Sequence, residues 1–193
     1  MQLVLLLTLL VGGIAFPSAS VADEIVSKTS RPVPRVRAAD NRVAAAMKEG
    51  LARSASFRAI IDHINTLDVI VYAETQPLLR GRLSGTMTWV TATKEFRYVR
   101  VSLNPDLNIA QMTASLAHEL QHVVEVGEAK SIVDTKTLSD YYRVAGVERY
   151  VRADEWDTEA AQRTGDIVRR ELADAYNNDA AQSIQARRLD RGR

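Results

Sequence analysis

The stretch that most constrains this chain is Ser115 to Val126, Ser-Leu-Ala-His-Glu-Leu-Gln-His-Val-Val-Glu-Val. From Asn108, a good N-cap, to Gly127, a good C-terminal stop, Met112, Leu116, Leu120, Val123 and Val124 recur at helical spacing, so the segment reads as an amphipathic helix. Gln111, Ser115, His118, His122 and Glu125 fall on its other side. His118, Glu119 and His122 form the pattern H-E-x-x-H. Residues i and i+4 of a helix lie one above the other, so both imidazoles project from one face. Two neutral imidazoles so placed can share one tetrahedral Zn²⁺, and Glu119 can take a proton from a water at that ion. The histidine face is not the helix's own packing stripe, so it must look into a cleft or onto another element.

A catalytic zinc site commonly has three protein ligands and keeps one position open. Cysteine is absent, which excludes thiolate ligands, disulfides and a cysteine nucleophile and leaves nitrogen and oxygen donors. Glu125 lies seven residues from His118, about 10 Å along a straight helix. It is too far for the same ion and is expected to orient His122 from behind, or to be a solvated carboxylate at the helix end. The third ligand is sought in Trp156 to Ala161. On a final helix drawn over 154–176, Asp157 shares a stripe with Ala161, Thr164, Val168, Leu172 and Ala175, all within roughly 60°. Glu159 lies about 200° away beside Arg163, its natural i+4 partner. Asp157 is therefore the preferred third ligand, and Glu159, with its longer reach, is the alternate. His63, next to Asp62, reads as a surface or structural histidine.

Two helices come first, over 41–53 with Asp40 or Asn41 as cap, and then one capped by Ser54 or Ser56 with Phe57, Ile60, Ile61 and Ile64 on its apolar stripe. Three β-rich runs follow, at about 68–73, 86–93 and 96–103. The pattern predicts an α+β fold: a small, mostly antiparallel sheet of about three strands packed on the H-E-x-x-H helix and further helices. In the last run Val99, Val101 and Leu103 alternate with Tyr98, Arg100 and Ser102. If that strand is the sheet edge it can take up an extended peptide by β-augmentation, with Tyr98 and Arg100 facing the cleft.

Residues 3–14 are almost wholly apolar, too short a run for the roughly 20 residues that span a bilayer. With Ser20-Val21-Ala22 as a small-x-small cleavage site, 1–22 reads as a signal peptide, although no Lys or Arg precedes the apolar run. The expectation is a secreted or periplasmic protein with no integral membrane domain after signal removal; an uncleaved N-terminal membrane anchor is the alternative. Residues 23–39, with Arg31-Pro32-Val33-Pro34-Arg35-Val36-Arg37, read as a Pro/Arg-rich linker, 40–176 as the metal-binding domain, and 177–193 as a polar, Arg-rich tail. Lys plus Arg number 25 against 24 for Asp plus Glu, so net charge gives no reason to expect nucleic acid as a partner.

Ser115 to Val126 resembles the active-site helix of zincin metallopeptidases. Asp157 with Ala160 three residues later resembles the carboxylate helix of gluzincin-like members, except that those use glutamate; aspartate is the aspzincin ligand. Phe57-Arg58-Ala59-Ile60-Ile61, Val69-Ile70-Val71-Tyr72, Arg97-Tyr98-Val99-Arg100-Val101 and Ala117 to His122 together resemble small bacterial zincin-like proteins, over about residues 54–172. The resemblance implies a minimal zincin-like domain binding one Zn²⁺ through His118, His122 and Asp157. It further implies Glu119 as general base and a peptide or protein substrate. An oxyanion donor is also expected, with Tyr141, Tyr142, Arg149 and Tyr150 as candidates between the two ligand elements. The other reading is a zincin-like domain without turnover, a binding or scaffold module of the cell envelope, since no second lobe is evident to close a cleft.

Overall fold

Asp40 starts the helical part of the chain and fastens it to the sheet in one step. Its Oδ1 accepts the N–H groups of Arg42 and Val43, capping the first helix, while Oδ2 accepts the N–H and hydroxyl of Thr75 at the end of a strand. The structure, a computed structural model, describes residues 33–81, 83–145, 147–148 and 156–190. The expected signal peptide at 1–22, Arg149 and Tyr150 lie outside them. In chain order the elements are β1 (Val36–Ala38), α1 (Asn41–Arg53), α2 (Ala55–Ile64), β2 (Val69–Thr75), β3 (Gly85–Ala92), β4 (Arg97–Leu103), α3 (Ile109–Glu128), α4 (Thr135–Ala145), β5 (Val147–Glu148), β6 (Trp156–Asp157) and α5 (Glu159–Asp190).

The fold is α+β with a four-stranded mixed sheet in the order β1-β2-β4-β3, and β5 pairs with β6 in a separate two-stranded ribbon. Two expectations are corrected. The main sheet has four strands, not about three, because Val36–Ala38, inside the expected linker, pairs in parallel with Val71–Ala73. Nor is it mostly antiparallel: β2 also runs parallel to β4, and only the β3–β4 pair is antiparallel. Alternation of apolar and polar residues is the same in either direction, so it could not reveal this. A third correction follows from strand order. β4 lies between β2 and β3 and is not an edge; β3 is.

Val69, Val71, Ala73, Val99, Val101 and Leu103 are fully buried and meet Leu116, Leu120 and Val123 of α3 in one core. Tyr98 and Arg100 alternate with these residues and so lie on the sheet's other face, away from α3; Arg100 is exposed beside Glu74. They do not face a cleft at the histidines, as had been expected of an edge strand.

α3 is fixed at both ends. Asn108 and Gln111 form a reciprocal capping box at the start. At the other end the buried Arg97 guanidinium, from the first residue of β4, donates to the carbonyls of Val126, Gly127, Ala129 and Ile132 and pairs with Asp68. Those are the orphan carbonyls at and just beyond the helix end, where a cation also suits the helix dipole.

α5 lays Ala161, Val168 and Leu172 against the core, and α3 is the helix it packs on most extensively. Its Glu171 carboxylate receives the Ser54 hydroxyl and both the N–H and hydroxyl of Ser56, clamping the α1–α2 corner. The helix begins later and ends later than the expected 154–176. Trp156 and Asp157 are strand residues paired with Glu148 and Val147, and helical backbone continues through the expected tail to Asp190. Tyr176 donates to Glu49 at 2.6 Å and Asp179 pairs with Arg53, so this part is held against α1. Among the described residues, no helix is long and apolar enough to cross a membrane.

Candidate metal centre

The histidine face of α3 is covered, not open. His122 and Glu125 are buried and His118 is half-buried, because α5, β6 and α4 close over them. The close approach of α5 depends on Gly165. A methyl group there would lie 3.2 Å from His118 Cβ and 3.4 Å from the Ala114 carbonyl oxygen, so a larger side chain would lift α5 off the histidine.

Asp157, 1% exposed, enters from β6 and faces both imidazoles. Its Oδ1 lies 3.3 Å from His118 Nε2 and 3.7 Å from His122 Nε2. Donors about 2.0–2.1 Å from a tetrahedral zinc stand roughly 3.3 Å apart, and the ligand atoms of these three residues lie within 4.8 Å of one another, a grouping that could hold one small cation. His118, His122 and Asp157 are also the cluster of metal-ligating side chains that the described residues bring within ligand range. Glu159 is outside it: its side chain is 82% exposed and pairs with Arg163. Thus Asp157 stands beside both histidines, but on a strand before the helix and not on a helical stripe.

The hydrogen bonds behind the triad select the nitrogen of His122 that faces Asp157. His122 Nδ1 lies 2.9 Å from Glu125 Oε2. Tyr142 donates its phenol hydrogen to the same carboxylate oxygen at 3.0 Å, and Thr158 donates its hydroxyl to Oε1 at 2.6 Å. Burial pushes the Glu125 carboxyl up, but the His122, Thr158 and Tyr142 hydrogen bonds outweigh it and hold it below its ordinary value. An ionised carboxylate only accepts, so His122 Nδ1 carries the hydrogen and Nε2 is the ring nitrogen turned toward Asp157. Asp157 is steadied in turn, Oδ1 by the Thr158 N–H at 2.8 Å and Oδ2 by the Gln162 amide at 3.1 Å.

Glu119, 6% exposed, lines the same cleft one position from His118. The backbone of β3 runs directly over it: a methyl group on Gly85 would come within 2.9 Å of the Glu119 side chain. The cleft, about 170 Å³, is also lined by Met87, Leu138, Tyr142 and Trp156. A second, polar lobe opens between α3 and α5 past Ser115, Gln162 and Arg169.

Comparison with known protein families, with curated proteins and with solved structures finds no match to this chain.

The other residues singled out in the sequence are dispersed. His63 pairs with Glu128 on the surface at 3.0 Å. Tyr141 stacks edge-on against Tyr142 and the core. Tyr142 lines the cleft, but its one hydrogen is committed to Glu125; burial, then the Glu125 charge, pushes the phenol's pKa well up and keeps it a neutral donor. Sequence reasoning missed Thr158, Gly165 and Gly85. Thr158 was detectable as an N-cap signal before α5, since its hydroxyl accepts the Ala161 N–H at 3.1 Å. The two glycines carry no local signal, because their role is to make room across the fold.

Proposed function

We propose that this chain is a zinc-dependent peptide hydrolase of the zincin type. The observation that carries the reading is the convergence of His118 Nε2, His122 Nε2 and Asp157 Oδ1 to 3.3 and 3.7 Å in a buried cleft that also holds Glu119. Two imidazoles and one carboxylate are a donor set suited to Zn²⁺. When bound, the ion supplies a Lewis acid that polarises the scissile carbonyl and acidifies the attacking water. Glu119 takes the water's proton as its oxygen adds to the carbonyl carbon, and returns a proton to the departing amine as the C–N bond breaks. Glu125 and Tyr142 keep His122 in the tautomer that ligates.

A peptide substrate is supported by the neighbourhood of the triad. β3, the sheet edge, passes beside Glu119 with its outer side unpaired in the sheet, and an extended chain can add to such an edge. The apolar lining of Met87, Leu138 and Trp156 then offers room for an apolar side chain. The apolar run at 3–14 supports a secreted or periplasmic setting for this hydrolysis.

Metal analysis of the purified protein with a peptide-library cleavage assay tests the reading. One equivalent of zinc and cleavage that Glu119→Gln abolishes while retaining zinc is the expected result. Zinc without cleavage by the wild type would favour a binding module, and absence of metal with no effect of zinc on stability would overturn the metal centre itself.

A further inference from the structure

The geometry points to Thr158 as a positioning residue that couples the third ligand of the triad to the carboxylate behind the second. The inference rests on the reading that His118, His122 and Asp157 hold a divalent cation.

Thr158 touches both sides of that set. Its N–H donates to Asp157 Oδ1, the oxygen that faces both histidines, at 2.8 Å. Its hydroxyl donates to Glu125 Oε1 at 2.6 Å, while Glu125 Oε2 takes His122 Nδ1 at 2.9 Å. The same hydroxyl oxygen accepts the Ala161 N–H, which fixes its rotamer at the start of α5. The residue is buried, so no water substitutes readily for these bonds.

The consequence concerns the Glu125 carboxylate. The terminal torsion of a glutamate is broad, and a carboxylate held at one oxygen can swing. Held at both, it keeps Oε2 on Nδ1 and the His122 lone pair aimed at the triad. Removing such a supporting hydrogen bond typically weakens metal affinity 10–100-fold. The backbone bond to Asp157 does not depend on the side chain, so substitutions at 158 isolate the hydroxyl.

Zinc affinity measured by chelator competition on the full chain tests this, with Thr158→Val, Thr158→Gly and Thr158→Ser made in the wild-type and Glu125→Gln backgrounds. Thr158→Val is expected to weaken zinc binding about 10-fold, Thr158→Ser less than about 3-fold because its hydroxyl is kept. In the Glu125→Gln background Thr158→Val should change affinity by less than about 3-fold, since the path through Glu125 is already broken. Glycine is a tolerated N-cap, so Thr158→Gly supplies the hydroxyl deletion if valine impairs folding. Undiminished affinity in both hydroxyl-deleted variants, or equal losses in the two backgrounds, overturns the coupling and leaves Thr158 a helix cap. If the wild type takes up no zinc, the metal centre fails, and this inference fails with it.

Discussion

At Gly165 one methyl group separates a tolerated helix contact from a displaced one. Replacement of a helical glycine by alanine ordinarily favours the helix by about 1 kcal/mol, but here the new Cβ would press on His118. A β-branched side chain has no room at all. Gly165→Val is expected to destabilise the fold by roughly 1–3 kcal/mol and to weaken zinc binding as His118 is pushed from Asp157. Urea titration and chelator competition read the two effects; unchanged zinc affinity would show that α5 yields without moving the histidine. Residue-scale legibility was uneven for the same reason. His118, Glu119 and His122 are legible because their relation is local, set by the period of one helix. A helical wheel favours Asp157 over Glu159, yet Asp157 stands on β6, with Thr158 between it and the first residue of α5. Gly85 and Gly165 act on residues far along the chain, and nothing beside them in sequence marks it.

The element that organises the rest is α3, and Arg97 holds its C-terminal end. Lysine could supply the charge, but not the planar fork that reaches four carbonyls and Asp68 together. Arg97→Met and Arg97→Lys are both expected to lower unfolding free energy by about 2–4 kcal/mol, because buried carbonyls lose their donors. Chemical denaturation measures this, and a lysine variant as stable as wild type would refute the geometric argument. The extents of α1, α2 and α3 were readable from caps and apolar stripes, since both signals lie inside the element. The sheet was less so. β1 is three residues long, between an arginine-rich stretch and a capping aspartate, and its only apolar anchor is the buried Val36. Its membership of the sheet is decided by β2, more than thirty residues away. The edge role fell to β3 because the chain after β2 crosses beyond the place of β4 before returning.

On the scale of the whole molecule, three carboxylates join distant parts of the chain: Asp40 links α1 to β2, Asp68 links Arg97 to Lys130, and Glu171 links α5 to the α1–α2 corner. For each, burial alone would push the pKa up. Hydrogen bonds from Val43 and Thr75 at Asp40, ion pairs at Asp68, and the two serines at Glu171 outweigh it and depress the value. Unfolded carboxylates titrate near about 4. The contribution of these groups is therefore complete above that pH and lost as pH falls through the lower folded values. Thermal melts should show a Tm insensitive to these groups between about pH 5 and 7 and falling below about pH 4, with a shallower fall in Asp40→Asn. At the same scale, zinc at 100 times its Kd is expected to add about 2.7 kcal/mol, a rise in Tm of roughly 5–10 °C for a chain of this size. His118→Ala should abolish that rise; a rise that survives the substitution would place the ion elsewhere. The candidate ligands are also far apart in the chain. His122 and Asp157 enclose a loop of about 35 residues that contains all of α4, and a bound ion would close it as a covalent cross-link does. Closing a loop of that length is worth roughly 4 kcal/mol by the chain-entropy estimate applied to disulfides. For a chain without cysteine, a chelator would then act on the fold as a reductant acts on a disulfide-bonded one, loosening the segment around α4 first and exposing it to proteolysis.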